Sequence, residues 1–112
     1  MNKYLVVYHA PASFNEKMAG MKPEEMNAEM GKWKVWMEDI GDAMLDMGNP
    51  LFGGQTVKKS GNKNSAREVS GYSMIQAKSM DAAVELLQGH PHLEMDDSCS
   101  IEIHEAAPAP GQ

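Results

Sequence analysis

Four histidines are the side chains best suited to acid–base chemistry, because imidazole titrates near neutral pH. His90 and His92 form a His-x-His pair just past a predicted helix, while His9 and His104 each end a predicted strand. Glu102 precedes His104 by two positions, so a strand would place this carboxylate and this imidazole on one face. The sequence therefore offers two candidate groups, the paired histidines and the polar strand ends.

The pair formed by His90 and His92 has two interpretations. Imidazoles just past the C-terminal end of a helix interact favourably with the helix dipole, and we favour this capping role because it needs no further partner. The alternative is metal binding, but a site needs a third or fourth ligand, and no other His or Cys lies near the pair in sequence. The chain also lacks a phosphate-binding glycine loop and a nucleophile elbow. We therefore expect neither a metal nor a cofactor.

The polar strand ends also have two interpretations. Structural hydrogen bonding is the favoured role of His9 and His104, and the alternative is that His104 and Glu102 point into a shared pocket. Tyr8 and Tyr72 offer hydroxyl groups to a ligand, although tyrosines in a sheet mostly pack their rings in the core. The residues that we retain as a candidate pocket are His9, Tyr72, His90, His92, Glu102 and His104.

Composition narrows the classes of partner and compartment. The chain has 112 residues, enough for one domain, and its 16 acidic and 10 basic residues give a formal charge of −6. This charge repels phosphate backbones and anionic membranes, so we expect no nucleic-acid or membrane partner. Cys99 is the single cysteine, which favours a reducing, cytoplasmic location, and we interpret it as a small buried hydrophobe. The apolar run at 4–8 is too short for a signal peptide or a membrane span.

The first half of the chain predicts one strand and one long helix. Residues 3–9 are β-branched, aromatic and apolar on both faces, which is typical of a central strand. Residues 23–47 form the predicted helix, which Gly48 and Pro50 would end. Packing on a sheet is favoured over a coiled coil, and its methionines would fill the core or line an adaptable pocket. Its apolar stripe comprises Met26, Met30, Trp33, Met37, Ile40, Met44 and Met47.

The second half predicts three further strands and a second helix. Residues 55–59 read as a polar edge strand, 60–65 as an exposed loop, and 71–77 as a second central strand. Ser79 is the predicted N-cap of the second helix, Gly89 its predicted end, and Pro91 prevents its continuation. The residues of this helix that we expect to be buried are Met80, Ala83, Val84 and Leu87. From Cys99 onward an alternating pattern predicts the last strand. The predicted domain spans 1–105, and 106–112 form a loose tail.

These elements predict an α+β fold with the order β-α-β-β-α-β. Its four-stranded antiparallel sheet has the first and third strands at the centre and the other two at the edges. Right-handed crossovers would place both helices on one face of this sheet. The opposite face then carries several apolar side chains, and a second copy of the chain is the simplest cover for them. We therefore predict a homodimer.

Three segments carry a resemblance to a known family: KYLVVYHAP, the Met/Trp-rich helix ending in GNPL, and GYSMIQAKSMDAAVELLQGHPHLEMDDSCSIEIHE. In their order along nearly the whole chain, they resemble the YCII-related family, also called DGPF-domain proteins. The resemblance implies a ferredoxin-like subunit that pairs as a dimeric α/β barrel, with cofactor-free binding or conversion of a small organic molecule in a pocket beside the sheet.

The chain departs from this family pattern at two places. Residues 65–70 lack the Asp-Gly-Pro-Phe motif, and Met30 stands near the position where the resemblance implies a functional His on the first helix of some members. The resemblance therefore implies a binding fold, while catalysis is left open. The alternative function is a non-catalytic self-associating interaction or regulatory module.

Overall fold

The computed structural model describes residues 1–65 and 68–108, apart from the side chains of residues 15, 17 and 19. Ten helices and strands are assigned within these residues. In chain order they are β1 (Asn2–His9), α1 (Ala12–Ala19), α2 (Pro23–Ile40), β2 (Met44–Asp46), β3 (Gln55–Lys58), β4 (Gly61–Asn64), β5 (Val69–Ala77), α3 (Met80–Leu86), α4 (Pro91–Met95) and β6 (Ser100–Glu105).

The main sheet has four antiparallel strands in the order β2-β5-β1-β6. The expected α+β class and four-stranded antiparallel sheet are therefore confirmed. β1 and β5 occupy the centre, where strands that are apolar on both faces belong. Tyr4 lies opposite Ile75, and Val6 lies opposite Ile103, so these side chains share one face of the sheet.

The helices cover that face of the sheet. Tyr4, Val6 and Tyr8 of β1 are each 3% exposed or less and belong to one core cluster. The same cluster contains Trp36 of α2 and Leu87 just after α3, so both helices contribute to the same side. The intervening side chains of β1 point to the other face, which we call the open face.

The predicted helix over 23–47 is too long. α2 ends at Ile40, a short 3₁₀ turn covers Gly41–Ala43, and Met44–Asp46 forms the edge strand β2. Gly41 adopts φ +52°, a conformation that favours glycine, and its N–H bonds to the Met37 carbonyl. Gly41 therefore ends the helix, and the predicted stop at Gly48 and Pro50 is wrong.

The predicted burial of the helical stripe is only partly correct. Trp33, Met37 and Ile40 pack against the core, but Met26 and Met30 are 48% and 66% exposed. Trp36, which lies outside the predicted stripe, is the buried residue of α2. A periodic apolar pattern identified the helix, but it did not show that Met26 and Met30 are exposed.

The segment after β2 also differs from expectation. The predicted edge strand at 55–59 does not join the main sheet, because β3 pairs with β4 in a separate hairpin. The stretch at 60–65, predicted as a loop, supplies β4. β2 replaces 55–59 at the sheet edge through its pairing with β5. We call β3 and β4 together the hairpin arm.

The C-terminal half follows the prediction more closely. Ser79 caps α3 by accepting a hydrogen bond from the Ala82 N–H, as predicted, with Ala83 and Leu87 buried. The two other members of the predicted stripe of this helix, Met80 and Val84, are each 39% exposed, so their predicted burial is wrong.

Two short helices were not predicted from the sequence. α1 buries Phe14 in a second cluster with Ala10 and Cys99, so the expected burial of Cys99 is confirmed. α3 does not continue into Pro91, as predicted, but Pro91 also starts α4, because proline suits the first helical position, where no N–H donor is required.

The segment that follows β6 remains bonded to β1 at its start. Ala106 donates its N–H to the Lys3 carbonyl, and residues 109–112 of the predicted tail lie outside the described residues. The boundary between a domain at 1–105 and a tail stays a prediction.

No helix among the described residues is long and apolar enough to cross a membrane.

Candidate functional site

The six predicted pocket residues are divided by the sheet into two groups. His90 and His92 are buried on the helix-covered side, whereas His9, Tyr72, Glu102 and His104 belong to the open face. The register of β1 explains this division, because successive strand residues point to opposite faces. The structure therefore does not bring the six residues into a single pocket.

On the covered side, His90 is at the centre of a hydrogen-bonded chain. Its Nε2 lies 3.3 Å from the Tyr8 hydroxyl, which lies 2.8 Å from the hydroxyl of Ser73. The Ser73 hydroxyl donates to the Met47 carbonyl at 2.7 Å. His90, Tyr8 and Ser73 are each 3% exposed or less. The chain therefore links four segments in the protein interior.

The direction of the protons in this chain follows from its ends. The His92 N–H donates to His90 Nδ1 at 2.9 Å, so a neutral His90 carries its proton on Nε2 and donates it to Tyr8. Since Ser73 donates to Met47, its oxygen must accept from Tyr8. Every hydroxyl in the chain thus donates once and accepts once. Such a fully satisfied arrangement fixes the ring orientations.

Burial holds these groups in their uncharged forms. It raises the pKa of Tyr8 to about 12, although the hydrogen bond between Tyr8 and Ser73 opposes the shift. Burial, with a smaller effect of His92, lowers the pKa of His90 to about 3. At neutral pH neither side chain carries charge, so this group acts as a structural network.

We predicted that His90 and His92 cap the C-terminal end of the second helix as partly charged imidazoles. This prediction is wrong. His90 is the N-cap of α4, where its Nδ1 accepts a backbone N–H. His92 Nε2 bonds to the His9 carbonyl at 2.9 Å. Burial lowers the pKa of His92, while the backbone of His9 and of Ser100 opposes this shift.

Two tryptophans of α2 enclose the His90 ring. The ring centroids of Trp33 and Trp36 lie 4.5 Å and 4.2 Å from that of His90. Trp36 is fixed in turn because its Nε1–H donates to the Leu86 carbonyl at 3.0 Å. This packing explains why His90 is inaccessible to solvent.

The open face carries the second group, which we call the His–Glu cluster: His9, Glu102 and His104. His104 Nε2 forms a hydrogen bond with Glu102 Oε1, and His9 Nε2 lies 3.6 Å from Glu102 Oε2. The spacing of two that predicted a shared face for Glu102 and His104 is therefore confirmed. The carboxylate lies between two imidazoles, which can orient one of them as a proton acceptor or donor.

Apolar side chains surround the His–Glu cluster on the sheet. Leu5 is opposite His104 across β1 and β6, and Val7 is opposite Glu102. On β5, Met74 is opposite Leu5 and Tyr72 is opposite Val7. All four of these β1 and β5 side chains are only partly buried. A polar cluster on an apolar floor is the usual composition of a small-molecule site.

Sequence reasoning missed several residues of the covered side. Ser73 and Trp36 complete the buried network, and only the alternation of β5 and the helical phase of α2 indicated their orientation. A cavity of about 160 Å³ also lies between α1, α2 and α4, away from the predicted pocket. It is lined by Phe14, Met18, Met21, Glu25, Glu29 and Met95. Among the described residues, no group of three or more His, Cys, Asp or Glu is arranged to hold a metal ion.

Comparison of the chain with protein-family models gives no match, and neither does comparison with curated proteins.

Proposed function

We propose that this chain is a self-associating subunit of the YCII-related type whose open face, completed by a second copy, binds a small organic acid or phenol. The observation that carries the proposal is the His–Glu cluster on an apolar sheet face. Imidazoles recognise ionised or hydrogen-bonding oxygens, and the apolar floor suits the carbon skeleton. The strand order β2-β5-β1-β6 also supports a ferredoxin-like subunit.

The amount of exposed surface supports a second copy. The chain exposes 7982 Å², whereas a compact monomer of its mass of 12.3 kDa exposes about 6,100 Å². The excess is larger than the roughly 800 Å² that each partner buries in a standard interface. The radius of gyration is 15.5 Å, against about 13 Å for a compact domain of this length. Both values also count the exposed hairpin arm, so the part that a second copy would cover is identified by the apolar side chains of the open face, Leu5, Val7 and Met74.

Self-association is tested by light scattering on the wild type and two variants. The wild type is expected at twice 12.3 kDa. Val7→Glu places a charge in the middle of the open face and should give a monomer, since burying an unpaired carboxylate in an interface is costly. Val35→Glu is the matched control on the 57% exposed side chain of α2 and should remain dimeric. A monomeric wild type contradicts the proposal.

Binding is tested by a thermal-shift screen of small carboxylic acids and phenols. Compounds that stabilise the wild type should lose their effect in Glu102→Gln and His104→Gln, because these changes remove the orienting carboxylate or an imidazole. Glu85→Gln, on α3, is the control variant. If the dimer forms but no compound depends on the His–Glu cluster, the binding proposal is wrong, and the non-catalytic self-association module is the better description. The buried, uncharged state of His90 favours that module, because it assigns this histidine a structural role.

A further inference from the structure

The cavity between α1, α2 and α4 is separate from the open face and from the His90 network. Phe14 and Met18 come from α1, Met21 precedes α2, and Met95 ends α4. At about 160 Å³, its volume is close to that of an engineered cavity that binds benzene, roughly 150 Å³. The cavity is therefore large enough for one small ring or a short branched chain.

The walls combine apolar and acidic chemistry. Three methionines and one phenylalanine form the apolar part, and methionine side chains adapt readily to the shape of a ligand. Glu25 and Glu29, one helical turn apart on α2, provide the acidic part. The cavity thus has an apolar body and a negatively charged side.

One carboxylate oxygen in this cavity lacks a partner. Glu29 Oε1 bonds to Lys32 Nζ at 3.1 Å, but Glu29 Oε2 is enclosed from solvent and makes no hydrogen bond. An unsatisfied buried acceptor carries a desolvation penalty that a donor would remove. Lys32 is 60% exposed, so solvent screens its charge and the pair does not fully compensate the carboxylate.

We propose that this cavity binds a small organic ammonium ion with an apolar body of about the size of benzene. On binding, the Glu29 carboxylate turns so that Oε2 accepts from the ammonium group, which Glu25 also attracts, while the body packs against Met18, Met95 and Phe14. A bare metal ion is a poorer occupant, because the walls offer thioethers and an aromatic ring instead of further oxygen ligands. The two carboxylates in the lining, Glu25 and Glu29, also favour a cation over an anion at this place.

The test uses benzylammonium as the probe and benzyl alcohol as its uncharged analogue. Isothermal titration calorimetry on the full chain should give saturable binding of benzylammonium, with benzyl alcohol bound at least about 10-fold more weakly, the ratio expected for loss of one charge-assisted hydrogen bond. Glu29→Gln should weaken benzylammonium binding by a similar factor. Glu38→Gln, an exposed position further along α2, should leave the affinity unchanged. Thermal melting of each variant checks that it is folded.

The place of binding is tested by NMR of the methionine methyl groups. The signals of Met18, Met21 and Met95 should move on addition of benzylammonium, whereas that of Met74 on the open face should not. The proposal is overturned by absence of saturable binding, by equal binding of the alcohol, by an unchanged affinity of Glu29→Gln, or by shifts centred on Met74. None of these results bears on association through the open face.

Discussion

Replacement of His90 by asparagine should remove a large part of the acid sensitivity of the protein. His90 is fully buried, and its pKa is lowered from 6.5 to about 3. Below pH 6.5 the unfolded chain therefore binds a proton that the folded chain does not, and stability falls as the pH falls towards 3. Asparagine can keep the acceptor that caps α4, but it has no titrating ring.

The size of the effect follows from this difference in proton binding. One proton contributes about 1.36 kcal/mol per pH unit, so between pH 6.5 and 4 the His90 contribution amounts to roughly 3 kcal/mol. At pH 7 His90→Asn should be less stable than the wild type by about 2–4 kcal/mol, because it loses the ring that packs on Trp33 and Trp36. The stability gap should shrink by about 3 kcal/mol by pH 4. His92 contributes a further pH dependence to both proteins.

Urea unfolding followed by tryptophan fluorescence, at fixed protein concentration between pH 4 and 7.5, measures this gap. Both tryptophans contact His90, so the signal reports on the relevant region. Ile75→Val, in the same core but without a titrating group, is the control, and its stability gap to the wild type should not change with pH. Parallel stability curves for His90→Asn and the wild type would refute the inference that buried, neutral His90 controls acid sensitivity.

Two substitutions test the local structure. Gly48→Ala should lower the melting temperature far more than Gly53→Ala. Both glycines have positive φ, so both alanine variants are strained. Only at Gly48 would the added Cβ also overlap the Tyr72 carbonyl, and such overlap typically costs about 1–3 kcal/mol more. Comparable losses in the two variants would disprove the close approach. Ser79→Ala should cost about 1 kcal/mol of unfolding free energy, which Ser79→Asp should largely restore, since aspartate also caps helices. A fully stable alanine variant would mean that the cap contributes little.

The sequence predicted the elements whose signals are local. The alternation of β6 correctly placed Ile101 and Ile103 on the core side and Glu102 and His104 on the other. Ser79 correctly marked the start of α3, because its side chain caps the helix through a contact three residues away. These features depend on residues that are close together in the sequence, so the sequence alone was enough to predict them.

The errors arose where long-range pairing decided the structure. Met44–Asp46 continues the apolar period of α2, but it forms an edge strand because β5 offers free backbone partners there. The polar stretch at 55–58 pairs with its own neighbour rather than with the main sheet. Likewise, only the folded structure brings Tyr8, Ser73 and His90 together, since their contacts span 65 and 82 positions of sequence.

The end of β1 shows how one irregularity connects the two candidate groups. Tyr8 pairs with Gly71, but His9 pairs with Val69, so Ser70 is the additional residue of a bulge on β5. The Ser70 hydroxyl donates to the Tyr8 carbonyl at 3.1 Å, while the carbonyl of His9 bonds to the buried His92. Bulges bend a strand and redirect its side chains. The backbone that fixes the buried histidines is therefore the same backbone that positions the His9 ring near Glu102 on the open face.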